Sequence, residues 1–146
     1  MNINHADSLF REAVKFRETN HPDMVYRCFD PSPIMQGYMT GGLCGVDKEG
    51  TPIFFDRIGQ MDVTGMMQNC QEQEFINFSI WRAENLSRQC LEGEMLTGKV
   101  QYQVVVVQDL KGLGWSHYNK KAWTVLKKCL KIEDDYYPEV RTYFFW

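Results

Sequence analysis

Gln103-Val104-Val105-Val106-Val107-Gln108 is the stretch that decides the fold of this chain. Four consecutive β-branched residues suit a pleated strand, and a run apolar at every position describes a strand buried on both faces. Such strands occupy the centre of largely parallel sheets covered by helices. The strand reading extends over Val100–Gln108, and Asp109-Leu110-Lys111-Gly112 turns the chain out of it.

Downstream, Asn119–Ile132 reads as an amphipathic helix. Ala122, Val125, Leu126, Cys129 and Leu130 point inward; Lys120, Lys127, Lys128 and Lys131 point outward. A loop at Asp134-Asp135-Tyr136-Tyr137-Pro138 leads into a further strand, Val140–Trp146. Upstream, a long helix covers about Gln71–Leu91 with Ile76, Ile80, Ala83, Leu86 and Cys90 on one face, and Gly93 and Gly98 bracket its exit. Before it, Leu43–Asp47 and Thr51–Arg57 read as strands around the turn Asp47-Lys48-Glu49-Gly50. Pro52 stands near the start of the second, where a missing donor is tolerable. The chain opens on a helix over His5–Thr19, with Leu9, Ala13 and Phe16 on one stripe; Pro22 breaks it and a loop follows. Pro31-Ser32-Pro33 starts a short helix through Tyr38, ended by Gly41-Gly42. The alternation of strands and helices predicts an α/β domain whose mixed, mostly parallel sheet is flanked by helices.

The 146 residues make one domain with room for a core, and 44% hydrophobic residues argue against disorder. A net charge of −3 supplies no global attraction to nucleic acid, and no nucleic-acid partner is expected. The five cysteines are odd in number, widely spaced and without a CxxC, which suits a reducing, cytoplasmic setting. No apolar run reaches the length of a membrane span.

Three blocks in order and register resemble the CRAL-TRIO family. They are Gly41-Gly42-Leu43-Cys44-Gly45-Val46-Asp47-Lys48-Glu49-Gly50-Thr51-Pro52-Ile53-Phe54-Phe55-Asp56, then Val107-Gln108-Asp109-Leu110-Lys111-Gly112-Leu113-Gly114, then Tyr136-Tyr137-Pro138-Glu139. The likeness runs from about Phe10 to Trp146 and is to the animal branch containing supernatant protein factor, also called tocopherol-associated protein. The resemblance implies a small N-terminal helical region followed by a sheet and helices that enclose an apolar cavity for a lipid. On that pattern residues 1–30 are the end of the helical region, with one helix of it present. Residues 31–146 are then the N-terminal part of the lipid-binding domain, cut short at its C-terminus.

The same resemblance assigns lipid-binding roles to Leu43, Phe54, Ala83, Val104, Val106 and Gln108. Phospholipid-transferring relatives carry hydroxyls at the positions of Val104 and Val106 and a tyrosine at that of Phe54. A valine wall cannot hydrogen-bond a phosphocholine, so the positions favour a less polar ligand such as a tocopherol or isoprenoid. Val104 and Val106 serve equally as core of a two-sided strand, and Ala83 as plain packing. Gln108 shares their strand face by alternation. The Asp109–Gly112 turn lacks a phosphate-binding glycine loop.

The lysine row Lys120, Lys121, Lys127, Lys128 and Lys131 reads first as a solvated helix face, secondly as an anionic-membrane contact. Three histidines (His5, His21 and His117) show no metal spacing. A Cys44–His117 pair or an Asp56–Glu84 carboxylate pair is conceivable, but nothing in the sequence assembles either. The expectation is therefore no enzyme, no catalytic residue, no metal and no cofactor. The expected function is binding and intracellular transfer of a hydrophobic lipid of tocopherol, isoprenoid or phosphoinositide type, with transient membrane contact. The alternative is a truncated interaction module that self-associates through the apolar edge Val140–Trp146.

Overall fold

The computed structural model describes residues 3–137 and the backbone of 141–145. Its centre is a four-stranded sheet in the order β1 (Gly41–Val46), β2 (Pro52–Asp56), β3 (Val104–Gln108) and β4 (Arg141–Phe145). β1 and β2 form an antiparallel hairpin, whereas β2, β3 and β4 run parallel, as the α/β reading requires. Parallel neighbours need long crossovers. β2 reaches β3 through α4 (Val63–Asn69) and α5 (Glu72–Thr97), and β3 reaches β4 through α6 (Lys120–Tyr136). The N-terminal part comprises α1 (Ile3–Asn20), α2 (Pro22–Cys28) and α3 (Pro33–Tyr38).

β3 begins at Val104, four residues later than the sequence reading has it. Val104 and Val106 are buried against Leu86 and Cys90 of α5, with Phe54 packed alongside. Val105 and Val107, on the opposite face, are half-buried and not fully covered as the four-valine run implies.

Several boundaries differ from the sequence expectation for local reasons. The loop after Pro22 is a helix, because proline at the first helical turn gives up an N–H that would have no partner there. His21, with φ 46°, makes the corner between α1 and α2. Gly41-Gly42 does not stop α3 but opens β1, in register with Asp56 and Phe55. α5 runs through Gly93 to Thr97 and ends where Gly98, φ 69°, donates to Glu94 O at 2.8 Å. A Cβ on Gly93 would stand 2.9 Å from Gly50 O, so this glycine lets the helix pass close to the β1–β2 turn. α4 has no counterpart in the sequence reading; Asp62 caps it, accepting from Gly65 N at 2.9 Å.

Three apolar clusters hold the layers. Met35, Met66, Met67, Cys70, Phe75 and Val125 join α3, α4, α5 and α6. Phe16, Ile80, Ala83 and Tyr137 join α1 to α5 and the end of α6. Leu86, Cys90, Val104 and Val106 join α5 to the sheet. The second cluster is bordered by an ion-pair chain. Arg17 pairs with Asp23 (3.0 Å) and Glu84 (3.3 Å), and Arg88 reaches Asp23 at 3.5 Å. α1 and α2 are thereby clasped to α5.

Candidate functional site

A partly open cavity of about 670 Å³ lies between the sheet and helices α4, α5 and α6. Strand alternation builds its floor: Phe54 and Asp56 on β2, Val106 and Gln108 on β3, all projecting to the α5 side. Met66 and Met67 of α4 and Phe75, Phe78 and Leu86 of α5 continue the apolar wall. α6 closes another side with Ala122, Val125, Leu126, Cys129 and Leu130, all of them on the stripe that the sequence marks as inward. Only Val125 of these is buried, because the stripe borders the cavity and not solid core. The volume falls within the 300–1,000 Å³ usual for ligand pockets.

Ser79 and Arg82 of α5, Asp134 of α6, and His117, Tyr118 and Asn119 before α6 add polar groups to the wall, and the first two meet Glu133 behind it. Glu133, 1% exposed, accepts from Ser79 Oγ at 2.6 Å and pairs with Arg82 at 2.7 Å. The Arg82 guanidinium also lies over the Phe54 ring, 5.8 Å from its centroid. Burial, and then the charge of Glu133, push the Cys129 thiol up to about 11, so it stays protonated and behaves as an apolar wall group. Asp56 Oδ1 accepts from Thr40 Oγ1 at 3.0 Å. Leu113, Tyr118 and Trp123 also line the cavity while half or more exposed, with Trp115 close by in sequence and 93% exposed.

Of the six residues marked from sequence, Phe54, Val106 and Gln108 stand in this wall. Leu43 is in register with Phe54, one strand farther out, 39% exposed and outside the lining. Ala83 packs between Phe16, Ile80 and Tyr137. Val104 is 0% exposed beneath Leu86 and Cys90, so α5 separates it from the cavity. The methionines of α4 and the loop 113–119 escaped the sequence reading, since neither carries a periodicity long enough to register.

Neither conceivable catalytic pair assembles. Glu84 accepts from Tyr137 Oη at 2.9 Å and from Arg17, away from Asp56 on the cavity floor. His117 turns Nδ1 back to accept from Gly114 N at 3.2 Å. Among the described residues, no group of three or more His, Cys, Asp or Glu could hold a metal ion. No described helix is long and apolar enough to cross a membrane.

A family model for the CRAL/TRIO domain matches residues 36–145. The chain belongs to the CRAL/TRIO domain family. It is 26% identical over 137 residues to Protein real-time of Aedes aegypti and, to the same degree, of Anopheles gambiae. Those matches cover 94% of this chain but 21% and 20% of the two relatives, so the chain spans about a fifth of their length. The crystal structure of Sfh5 superposes with a TM-score of 0.72 at 16% identity, covering 99% of this chain and 51% of that one. The superposition confirms the mixed α/β fold. CRAL/TRIO domains are lipid-binding domains.

Proposed function

We propose that this CRAL/TRIO domain holds one hydrophobic lipid in the cavity over Phe54 and Val106 and carries it between membranes in the cytoplasm. The observation that carries the reading is the wall itself: Phe54 and Val106 give the floor its apolar part, and the nearby cation, Arg82, is paired with Glu133. Burying an apolar chain there needs no reactive group. Each CH₂ removed from water contributes about 0.8 kcal/mol, so one long chain supplies roughly 10 kcal/mol. A floor without hydroxyls favours a tocopherol or other isoprenoid, as in the branch of supernatant protein factor, over a phosphoinositide or phosphatidylcholine.

In this reading Val106, Phe54 and Gln108 contact the lipid, Leu43 and Val104 support the floor around it, and Ala83 packs α5 against α1. Residues 1–30 are the end of a helical region clasped onto the domain of residues 31–146. Leu113, Trp115, Tyr118 and Trp123, with Lys120 and Lys127 beside them, meet the membrane during exchange. The position of Lys127 over the Trp123 ring, 5.2 Å from its centroid, supports the pairing of cation and aromatic at that rim.

Native mass spectrometry after incubation with a cell lipid extract tests the reading. One bound lipid per chain is expected, and loss of it in Val106→Trp. A mass free of lipid under every condition would sink the carrier function for this chain. A second reading rests on β4, the last strand in the sheet order, which has no further strand beside it among the described residues. Light scattering that shows a dimer, lost in Phe144→Lys with Phe145→Lys, would favour that interaction role.

A further inference from the structure

At one end of the cavity floor the apolar surface gives way to two polar side chains. Asp56 ends β2 and Gln108 ends β3, and the two are register partners on the parallel ladder. Both line the cavity. Their neighbours one step inward are Phe54 and Val106, so a ligand lying along the floor has its apolar body on the phenylalanine and valine and its end against the pair.

The chemistry of the pair is specific. The Asp56 carboxylate only accepts hydrogen bonds, and one of its oxygens is occupied by Thr40 Oγ1 at 3.0 Å. The other oxygen is left to accept. The Gln108 carboxamide makes no hydrogen bond within the described residues and has both a donor and an acceptor to offer. Two other polar side chains of the lining are each held through one atom. Asn119 Oδ1 caps α6, accepting from Lys121 N at 3.0 Å and Ala122 N at 3.1 Å. His117 Nδ1 is held by Gly114 N. Arg57, next in sequence to Asp56, turns to the other face of the sheet, over Phe55.

A hydroxyl is the group that satisfies this pair, since it donates to the Asp56 carboxylate and accepts from the Gln108 amide. An ether or ester cannot donate, and a phosphate brings a second negative charge against the carboxylate. We infer that Asp56 and Gln108 read the free hydroxyl of an uncharged lipid alcohol and reject phosphate-headed lipids. This rests on the proposed lipid-carrying role of the cavity and names the ligand class it takes.

Three probes with one apolar body separate the possibilities: 1-hexadecanol, methyl hexadecyl ether and hexadecyl phosphate, each titrated into the full chain and followed by native mass spectrometry. The alcohol is expected to bind about tenfold more tightly than the ether, with the phosphate weakest. Gln108→Met should weaken alcohol and ether alike, since either oxygen accepts from its amide, and leave the ratio between them as it is. Asp56→Asn, which keeps an acceptor but removes the charge, should retain the preference for alcohol over ether and admit the phosphate. Melting curves of both variants confirm that they fold. Equal binding of alcohol and ether by the parent chain overturns the inference while leaving a lipid cavity intact. Affinities for alcohol and ether that do not change in Gln108→Met overturn it too. Binding of none of the three removes the cavity's lipid role and this inference with it.

Discussion

Tyr137 donates to Glu84 Oε1 at 2.9 Å, and this one bond ties the end of α6 to the middle of α5, 53 residues apart in sequence. The tyrosine ring meets Phe16 of α1 edge-on, with centroids 6.4 Å apart, while Tyr136 stacks on the same phenylalanine at 3.8 Å. Three helices therefore converge on one aromatic group whose polar tip is satisfied inside the protein. Tyr137→Phe keeps the ring and loses the bond, an expected cost of about 1 kcal/mol in urea unfolding. Tyr137→Ala also loses the ring, at about 3–5 kcal/mol. Equal costs for the two would show that the bond, and not the ring, holds α1 in place.

The same group shapes the alkaline limit of stability. Burial, and then the charge of Glu84, raise the Tyr137 pKa above its ordinary value of about 10. Below that ordinary value both folded and unfolded chains keep the proton, and the contribution is present in full. As pH rises past it, unfolded chains release the proton first, so stability is lost. Cys129 acts one step earlier: its thiol moves from 9.0 to about 11, so its contribution is complete below pH 9 and is lost as pH climbs from 9 to 11. Denaturant melts across pH 8–11.5 should fall from pH 9 onward. Cys129→Ala should flatten the first part of the fall and Tyr137→Phe the part above pH 10. An unchanged slope in either variant would assign that part of the titration to another group.

Glu133 sets a different kind of demand. It is 1% exposed, and Arg82, with its side chain 27% exposed, is its cationic partner at 2.7 Å. Removing one member of a buried pair leaves the other charge without compensation, which costs about 3–5 kcal/mol. Arg82→Met should therefore lower the melting temperature sharply, and Arg82→Met with Glu133→Met should recover most of the loss. A double variant no better than the single would mean that Ser79, left with its 2.6 Å acceptor gone, matters as much as the charge.

Much of this architecture is legible in the sequence because burial leaves a period. The four-valine run gives β3, and the Ile80, Ala83, Leu86 and Cys90 stripe gives the long helix, since both elements pack along most of their length. α2 and α4 are seven residues each, too short to show a period, and each is set at its start: by Pro22 in the first turn of one and by the Asp62 cap of the other. The candidate site is less legible. Phe54, Val106 and Gln108 follow from strand alternation once a neighbour is known, but Met66 and Met67 reach the wall only because α4 folds back under α6. Gln108 can be named from sequence, whereas its pairing with Asp56 comes from the register of strands about fifty residues apart.

Val104 and Val106 share one strand face, but the structure gives them different surroundings. Val104, 0% exposed, is sealed under Leu86 and Cys90, whereas Val106 also reaches the cavity. A hydroxyl at the first position would be buried where its strand neighbours offer no open partner, at about 1–3 kcal/mol. A hydroxyl at the second can face the ligand. Val104→Ser should therefore lower stability while leaving the ranking of bound lipids as it is. Val106→Thr, nearly the same size as valine, should cost less and shift the ranking toward phosphatidylcholine. Competition between α-tocopherol and phosphatidylcholine, read alongside a melting curve for each variant, separates the two effects. A change of ranking in Val104→Ser, or none in a well-folded Val106→Thr, would mean that the lipid lies against a different part of the floor.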